Sequence, residues 1–479
     1  MSERNLTMMT DLYQLTMMYG YQKHGMGENE AVFDMFFREV GGPNCYAMVA
    51  GLEQLIEYID NLKFTEEDLA YLRSLNQFDE GFLDYLRNFR FTGEIYAMPE
   101  GTVAFPYEPL VRVRAPIMEA QFIETALLNI INHQTLIATK ASRVVQAAQG
   151  DGILEFGLRR AQGPDAGIYG ARAAIIGGCV GTSNVLTGQM YGIPAKGTHA
   201  HSWVMSFPTE LDAFRAYAET FPDNALLLVD TYDTLRSGVP NAITVFRELK
   251  AKGYKPTGIR LDSGDLAYLS KKARKMLDDA GFPEAKIFAS NDLDENAIWD
   301  LKAQGAKIDI WGVGTRLITS NDNPALGGVY KLAAEKVGGE WVPRIKISEN
   351  PAKITTPGCK QVHRLYGKDG MAVADLITLE HEEVDTSKPL TIFDPNQPWK
   401  QMTLTDFTQR ELLQPIYVGG KRVYESPELM EIQAYAKHDL DTFWDEYRRL
   451  TMPHRYKVDL SDELYTLKQN LLRRQGQWR

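Results

Sequence analysis

Residues 258–280, GIRLDSGDLAYLSKKARKMLDDA, contain the pattern that decides the fold. The apolar run 258–261 predicts a short strand, the polar loop 262–265 follows it, and 266–280 has the apolar spacing of an amphipathic helix. A strand, a loop and a helix in this order form the repeating unit of parallel α/β folds. The pattern recurs from residue 150 onward, with predicted strands at 153–156, 193–195, 226–229, 258–261, 287–289 and 308–311 and a second clear helix at 295–304. The spacing fits a parallel α/β barrel, and it fits a doubly wound open sheet equally well.

Composition and charge limit the classes of protein to which the chain can belong. Its 479 residues exceed what one hydrophobic core usually serves, which predicts roughly three domains. The chain is 44% hydrophobic and 24% charged, as is typical of a soluble globular protein. No apolar run predicts a membrane span and the first residues, MSERN, do not resemble a signal peptide, so we expect a cytoplasmic protein that binds no membrane. The net charge of −11 disfavours a nucleic-acid partner.

The three cysteines predict no covalent framework. Cys45, Cys179 and Cys359 are odd in number and far apart, so neither a set of disulfides nor a CxxC zinc site is expected. Such cysteine usage fits a reducing compartment. We expect a structural role for Cys179.

Three regions follow from changes of pattern along the chain. Residues 1–140 are predicted to form a domain of strands and helices that ends in a long connecting helix. Residues 141–335 contain the strand–helix units, and residues 336–479 are rich in Gly and Pro and predicted to be loops until helical periodicity returns at Ser426. Within the first region we predict strands at 31–40 and 94–114, a capping box at 65–68 and the long helix at about 119–139.

Polar loops follow the predicted strands of the middle region, at the carboxyl ends where parallel α/β proteins bind ligands. Each loop alone is explained by helix capping or by a tight turn. Six consecutive loops rich in Arg, Asp, Ser, Thr and Gly, with no Walker or GxGxxG motif, favour a pocket for a phosphorylated small molecule. The loops are 157–160, 196–201, 230–234, 260–265, 290–292 and 312–316.

Residue types in these loops suggest three roles. Glycines and a threonine after the last strand allow backbone amides to approach a phosphate, and aspartates can bind ribose hydroxyls or help to hold Mg²⁺. Arginine forks match a carboxylate or a phosphate. The phosphate-binding candidates are Gly312, Gly314 and Thr315, and the aspartates are Asp230, Asp262 and Asp265. The arginines are Arg159 and Arg260.

A pair of histidines, His199 and His201, lies in the loop 196–201. On an extended segment, residues two apart share a face, so the pair can belong to a metallohydrolase site. Such a site needs further ligands, and the histidines that follow, from His363 onward, lie on no predicted strand of the middle region. We therefore favour a phosphate-associated role over a metal site.

Several motifs in the same order along the whole chain resemble the nicotinate phosphoribosyltransferase family. The motifs are 157–165 (GLRRAQGPD), 197–202 (GTHAHS), 229–232 (VDTY), 260–265 (RLDSGD), 11–14 (DLYQ), 327–332 (GGVYKL) and 356–358 (TPG). The resemblance implies a type II phosphoribosyltransferase fold, in which an irregular α/β barrel is joined to an open-faced α/β sandwich and, here, to a C-terminal helical appendage. It also implies a homodimer with active sites between subunits.

The resemblance implies an activity as well. Enzymes of this family convert nicotinate, phosphoribosyl pyrophosphate, ATP and water into nicotinate mononucleotide, pyrophosphate, ADP and phosphate, with Mg²⁺ as cofactor. This is the first step of NAD biosynthesis from nicotinate and is classed with the carbon–nitrogen ligases. The same activity is expected of this chain, with no nucleic-acid or membrane partner.

Site residues carry over from the family position by position. His201 matches the histidine that is phosphorylated by ATP, whereas His199 occupies a variable position and receives a structural role. Tyr13, Thr198 and Arg260 match contacts of the family to nicotinate, and Phe156 and Arg159, also expected to bind nicotinate, match positions that hold the pyridine ring in the related nicotinamide enzymes. The residues expected to bind phosphoribosyl pyrophosphate are Asp230, Asp262, Ser290, Gly312, Gly314 and Thr315. The rings of Tyr13 and Phe156 are expected to hold the pyridine between them, while an arginine selects a carboxylate over a carboxamide. The metal ligands stay unassigned.

Two other functions compete with this interpretation. A relative that uses nicotinamide is one, although Tyr13 and the motif 157–165 resemble the nicotinate branch. The second alternative is a non-catalytic binding or regulatory protein with the same fold. The presence of His201, Arg260 and Asp262 argues against it, because a protein without catalysis does not need them.

Overall fold

The computed structural model of the protein describes residues 5–41 and 45–476. The chain divides into two compact units. Unit 1 consists of Met1–Leu136 and Ala325–Arg479, and unit 2 is Ile137–Pro324. The N-terminal and C-terminal regions predicted from the sequence therefore both belong to unit 1. Among the described helices, none has the length and hydrophobicity that crossing a membrane requires.

The first part of the chain alternates helices with short strands, as its sequence predicts. Thr65 begins one helix through the predicted capping box, since its hydroxyl accepts from Asp68 N at 3.1 Å and its own N–H donates to the Asp68 carboxylate at 2.8 Å. The elements are α1 Leu12–Lys23, β1 Glu30–Phe36, β2 Ala47–Met48, α2 Leu52–Asp60, α3 Glu66–Ser74, α4 Glu80–Arg87, β3 Glu94–Ala97, β4 Val103–Ala104, β5 Val111–Pro116, α5 Ile117–Phe122 and α6 Glu124–Ala147. The predicted long helix is thus two helices, α5 and α6.

The strand–helix alternation predicted for the middle region is confirmed in unit 2. Its elements are β6 Gly152–Glu155, α7 Pro164–Ile176, β7 Gly181–Thr182, α8 Val185–Tyr191, α9 His201–Met205, α10 Glu210–Thr220, β8 Leu226–Leu228, α11 Val239–Ala251, β9 Gly258–Leu261, α12 Leu266–Asp279, β10 Lys286–Asn291, α13 Glu295–Ala303, β11 Ile310–Val313 and α14 Thr315–Ile318. Short 3₁₀ turns lie at Leu158–Arg160 and Pro222–Asn224, and a π turn lies at Thr234–Gly238. All neighbouring strands of the sheet are parallel, in the order β7-β6-β11-β10-β9-β8.

In the sheet of unit 2 the first strand, β6, lies beside the last, β11, an adjacency that a barrel requires. The predicted closure of that barrel is not confirmed. The segment 193–195, predicted as a strand, contributes a single bridge between Ala195 and Thr182, and Pro194 has no N–H with which to extend it. Within the described residues no backbone ladder joins this segment to β8. The sheet is open at this point.

The last part of the chain returns to unit 1 and contains more strands than the sequence predicts. Its elements are β12 Val329–Val337, β13 Glu340–Pro343, β14 Lys360–Tyr366, β15 Ala372–Leu379, β16 Leu390–Asp394, β17 Gln397–Leu404, β18 Thr408–Glu411, β19 Gln414–Val418, β20 Lys421–Arg422, α15 Leu429–Asp441, α16 Asp445–Arg448, β21 Val458–Leu460 and α17 Asp462–Gly476. The helices after Ser426 agree with the predicted helical periodicity. However, β21 pairs with β15 in a four-stranded sheet, β18-β14-β15-β21, so this end of the chain is more than a helical appendage.

Glycine pairs explain why part of this region was predicted to be loop. Gly338 and Gly339 both have positive φ, 62° and 88°, and form the two-residue turn of the hairpin β12–β13. Gly419 and Gly420, with φ of 55° and 72°, turn the hairpin β19–β20 in the same way. Both hairpins lie in the seven-stranded antiparallel sheet of unit 1, β13-β12-β1-β5-β3-β19-β20. Two glycines between apolar runs are a hairpin signal, and the prediction of a loop was wrong.

Candidate active site

The carboxyl edge of the parallel sheet in unit 2 gathers most of the predicted site residues. The register places Arg260 opposite Phe288 and Leu228, and Ser290 opposite Gly312. Four neighbouring strands, β8 to β11, therefore end together, and the loops that follow them share one edge. This grouping is the one that the strand-end pattern of the sequence predicts.

Arg260, at the end of β9, is the centre of a hydrogen-bond network. Its Nε donates to Ser290 Oγ and its Nη2 donates to Asp262 Oδ1, both at 2.8 Å. The Ser290 hydroxyl also donates to Asp262 Oδ1. Burial opposes the ionisation of Asp262, but the hydrogen bond from Ser290 and the charge of Arg260 outweigh it and hold the pKa of Asp262 below its ordinary value. Asp262 is therefore a carboxylate at neutral pH.

Asp230, just beyond β8, supports the loop that carries Asp262. Its Oδ2 accepts from Asp262 N at 2.8 Å and from Ser263 Oγ at 2.6 Å. Its second oxygen, Oδ1, is buried and has no hydrogen-bond partner in the part of the chain that the structure describes. An unpaired buried carboxylate oxygen is costly, and such atoms are usually satisfied by a ligand, an ion or water. Asp230 can therefore receive a hydroxyl group or a cation at Oδ1.

His201 begins α9 and faces the same network. Its Nδ1 lies 3.0 Å from Thr231 Oγ1, and its Nε2 lies 3.7 Å from Asp262 Oδ2. The side chain is 39% exposed. The imidazole is thus held by two neighbours at this edge of the sheet and still has a surface that a ligand can reach.

Thr198 and His199 point into the structure instead. Thr198 Oγ1 donates to Leu226 O at 2.6 Å, and His199 Nε2 accepts from Leu228 N at 3.3 Å. The His199 ring packs edge-on against Tyr217, with 4.7 Å between the ring centroids. Burial lowers the pKa of His199 to about 4, so the ring is neutral at physiological pH. This arrangement is consistent with the structural role expected of His199.

Phe156 and Gly312 occupy adjacent positions on the same edge. The Phe156 ring centroid lies 5.8 Å from Arg260 Cζ. A Cβ atom at Gly312 would lie 2.6 Å from Phe156 Cδ2 and 2.7 Å from Cε2, and one at Gly314 would lie 3.1 Å from Phe156 O. Gly312 is therefore required for the position of the aromatic ring, a packing reason that the sequence analysis did not consider. That these glycines bind a phosphate stays a prediction.

Glu155 is a residue of this site that sequence reasoning missed. It is fully buried at the end of β6, where its Oε2 accepts from Thr182 Oγ1 at 2.6 Å and its Oε1 accepts from Gly157 N. Burial raises the pKa of Glu155 against the opposing effect of these two hydrogen bonds. The carboxyl group holds the turn that presents Phe156. The signal was an acidic residue within the otherwise apolar run ILEF at 153–156.

The predicted site residues Arg159, Thr315 and Tyr13 are exposed. Arg159 lies in the 3₁₀ turn Leu158–Arg160, which packs against α14, the helix that begins at Thr315. Tyr13 is 47% exposed on α1 and belongs to unit 1. Its pairing with Phe156 around a pyridine ring stays a prediction.

Cys179 and the histidine pair show no sign of metal chemistry within the described residues. Cys179 is fully buried, and burial raises the pKa of its thiol. The described chain contains no group of three or more His, Cys, Asp or Glu side chains arranged to hold a metal ion. The carboxylates Asp230 and Asp262 are the acidic groups of the network available to a cation that arrives with a substrate.

Comparison with known proteins relates the chain to one family over nearly its whole length. Residues 8–132 match the nicotinate phosphoribosyltransferase N-terminal domain, 152–369 match the nicotinate phosphoribosyltransferase family, and 359–468 match the corresponding C-terminal domain. A Bacillus subtilis (strain 168) protein named nicotinate phosphoribosyltransferase is 50% identical over 465 residues, which cover 97% of this chain and 94% of the relative. A Dictyostelium discoideum protein of the same name is 37% identical over 520 residues, covering 97% and 88%.

A solved structure shows the same fold. The crystal structure of human nicotinic acid phosphoribosyltransferase superimposes with a TM-score of 0.86 at 32% sequence identity, covering 96% of this chain and 99% of that chain. The structure of nicotinate-nucleotide pyrophosphorylase from Pyrococcus furiosus, 23% identical, shares the fold with a TM-score of 0.70 and covers 92% of this chain and 96% of that chain.

Proposed function

The chain belongs to the nicotinate phosphoribosyltransferase family, and from this premise we propose that it joins nicotinate to phosphoribosyl pyrophosphate with the hydrolysis of ATP. The products are nicotinate mononucleotide, pyrophosphate, ADP and phosphate. The observation that supports the proposal best is the cluster of His201, Asp262 and Arg260 at the edge of the parallel sheet. In this cluster the carboxylate of Asp262 lies 3.7 Å from the partly exposed imidazole of His201 and 2.8 Å from the guanidinium of Arg260.

The role proposed for His201 is to accept a phosphoryl group. A ring nitrogen would attack the γ-phosphorus of ATP, forming the N–P bond as the bond to the ADP oxygen breaks. Water would later cleave the N–P bond and release phosphate. The phosphoryl group adds about −1.5 to −2 charges if it behaves like other phosphorylated side chains. Because Asp262 Oδ2 lies 3.7 Å from Nε2, this charge would repel Asp262 and rearrange the network around it.

The glycosyl transfer requires no protein nucleophile. The ring nitrogen of nicotinate attacks C1′ of the ribose as the C1′–O bond to pyrophosphate breaks, and positive charge develops on the sugar. The carboxylates Asp230 and Asp262 can stabilise that charge or bind the ribose hydroxyls. The unpaired Asp230 Oδ1 fits a ribose hydroxyl or Mg²⁺, which when bound would neutralise the charge of the departing pyrophosphate.

Recognition of the carboxylate of nicotinate is assigned to arginine. A guanidinium forms a charge-assisted pair with a carboxylate, which the carboxamide of nicotinamide cannot offer. Arg260 Nε and Nη2 are already bound to Ser290 and Asp262, so we propose that the exposed Arg159 supplies much of this discrimination. The Phe156 ring, near Arg260, would provide one face for the pyridine.

The test is product formation from labelled nicotinate and phosphoribosyl pyrophosphate, with and without ATP. We expect nicotinate mononucleotide in both cases, faster with ATP, and little product when nicotinamide replaces nicotinate. His201→Ala should lose the ATP-linked turnover with its melting temperature unchanged. His381→Ala, at a histidine of unit 1 whose side chain is 65% exposed, is the matched control.

Two results would contradict the proposal. Normal ATP hydrolysis during nucleotide synthesis by His201→Ala would exclude the phosphohistidine. A preference for nicotinamide, or binding of the substrates without product, would favour one of the competing functions.

We also propose that the protein is a homodimer in the cytoplasm. Exposed apolar side chains cluster on α1, at Leu12, Tyr13 and Met17, and on α8, at Val185, Leu186 and Met190. Contiguous exposed apolar surface is typical of protein interfaces. Sedimentation equilibrium should give twice the 54.0 kDa chain mass, and Leu12→Lys should shift the equilibrium toward monomer.

A further inference from the structure

The segment that leads to His201 lies at the point where the parallel sheet of unit 2 is open. On one side it pairs with β7, since Thr182 N donates to Pro194 O at 3.2 Å and Lys196 N donates to Thr182 O at 2.8 Å. On its other side lies β8, to which no backbone ladder runs within the described residues. Something else must satisfy the backbone groups on the open edge of β8, because they are buried.

Two side chains bind those backbone groups. Leu226 O accepts from Thr198 Oγ1, and Leu228 N donates to His199 Nε2. In a parallel ladder, a backbone residue facing Leu227 would bind these same two groups. Its N–H would donate to Leu226 O, and its carbonyl oxygen would accept from the Leu228 N–H. The threonine hydroxyl takes the place of the N–H and the imidazole nitrogen takes the place of the carbonyl.

The His199 ring is well held for this task. It is 8% exposed and packs against Tyr217 and Phe214, with centroid distances of 4.7 Å and 6.3 Å. Because Nε2 accepts a hydrogen bond from the Leu228 N–H, the proton of the neutral ring must be on Nδ1. That nitrogen lies 3.5 Å from the carbonyl oxygen of Ala200. Nε2 therefore faces the Leu228 N–H of β8, and Nδ1 faces the Ala200 carbonyl of the segment that leads to His201.

We propose that Thr198 and His199 replace a missing β-bridge to Leu227, and that His199 is thereby a positioning residue for His201. The two histidines are separated by one residue, so the anchor at Leu228 fixes the start of α9 and the distance of the His201 ring from Asp262. The inference rests on the proposed function of His201.

Two variants of His199 separate the effect of its hydrogen-bond acceptor, Nε2, from the effect of its aromatic ring. His199→Phe keeps an aromatic ring against Tyr217 but leaves Leu228 N–H unpaired, whereas His199→Gln offers an amide oxygen in about the same place as Nε2. Hydrogen exchange of the Leu228 amide should speed up about tenfold or more in His199→Phe and by much less in His199→Gln, since loss of a buried hydrogen bond has effects of this order. Equal protection of Leu228 in the wild type and His199→Phe would overturn the bridge.

The link to His201 is measured by the rate at which ATP phosphorylates it, followed by ³¹P NMR or mass spectrometry. We expect a loss of about 10- to 100-fold in His199→Phe, as for other small displacements of reacting groups, and recovery of most of the rate in His199→Gln. Equal rates in the two variants would overturn the positioning role. A wild-type protein that forms no phosphohistidine would instead refute the proposed function, and the Leu228 exchange measurement would still decide whether the bridge exists.

Discussion

Gly312→Ala is expected to damage catalysis while leaving most of the stability intact. The added Cβ would lie 2.6 Å and 2.7 Å from two carbon atoms of the Phe156 ring. Carbon atoms in contact normally lie about 3.5–4.0 Å apart, so the ring must move by roughly 1 Å. Because Phe156 is proposed to hold the pyridine and lies 5.8 Å from Arg260, this displacement misplaces one reactant. A shift of about 1 Å at a reacting group can cost about 100-fold in rate, and we expect kcat/KM for nicotinate to fall by about 10- to 100-fold.

The assay is steady-state synthesis of nicotinate mononucleotide, with thermal unfolding of the same preparation as the stability readout. Overpacking of this kind costs about 1–3 kcal/mol, which should leave the variant folded at 25 °C. Gly20→Ala is the matched control, because a Cβ at Gly20 in α1 meets nothing within 4 Å. It should leave kcat/KM unchanged and stabilise the helix by about 0.5–1 kcal/mol. A kcat/KM within twofold of the wild type in Gly312→Ala would refute the role given to the ring position.

Two further predictions concern unit 1. Burial and the neighbouring carboxylate of Asp375 raise the pKa of Glu108 well above its ordinary value, so its contribution to stability is present below pH 4.5 and is lost as the pH rises through the folded-state pKa. Glu108→Gln should therefore stabilise the protein more at pH 8 than at pH 5, measured by thermal unfolding, and equal effects at the two pH values would contradict this explanation. Thr65→Ala removes the capping hydroxyl of α3 and should cost about 1 kcal/mol in urea unfolding, whereas Thr65→Ser should cost little.

The parts of the fold that the sequence predicts are those determined by local pattern. The run 258–261 and the helix after it agree with β9 and α12 because short apolar strands and amphipathic helices have distinct periods. Residue types alone are not sufficient at Gly338–Gly339. The two glycines by themselves suggest a loop, whereas the strand-forming residues on both sides of them indicate a hairpin. The openness of the sheet at Ala195 could not be predicted, because pairing between strands depends on distant segments.

The sequence predicts which loops form the site, because the carboxyl ends of neighbouring parallel strands lie at one edge of the sheet. Arg260, Asp262 and Ser290 come from two loops that the sequence analysis identified separately, and the hydrogen bonds that join them are a consequence of the register of β9 and β10. Glu155 was missed because its partners, Thr182 and Gly157, are assigned only once the fold is known. The tasks of Gly312 and His199 likewise depend on neighbours that no local motif reveals.

The charge balance of the network indicates what a substrate must bring with it. Arg260 is bound to Asp262, and Asp230 adds a second carboxylate, so these three side chains sum to one negative charge. Phosphoribosyl pyrophosphate and ATP are themselves anions, and bare phosphates would be repelled by the two aspartates. Mg²⁺ usually binds through one or two carboxylates together with substrate phosphates, rather than in a complete protein cage. The unpaired oxygen of Asp230 therefore supports the proposal that the metal enters with the pyrophosphate and makes this acidic edge a binding site for an anion.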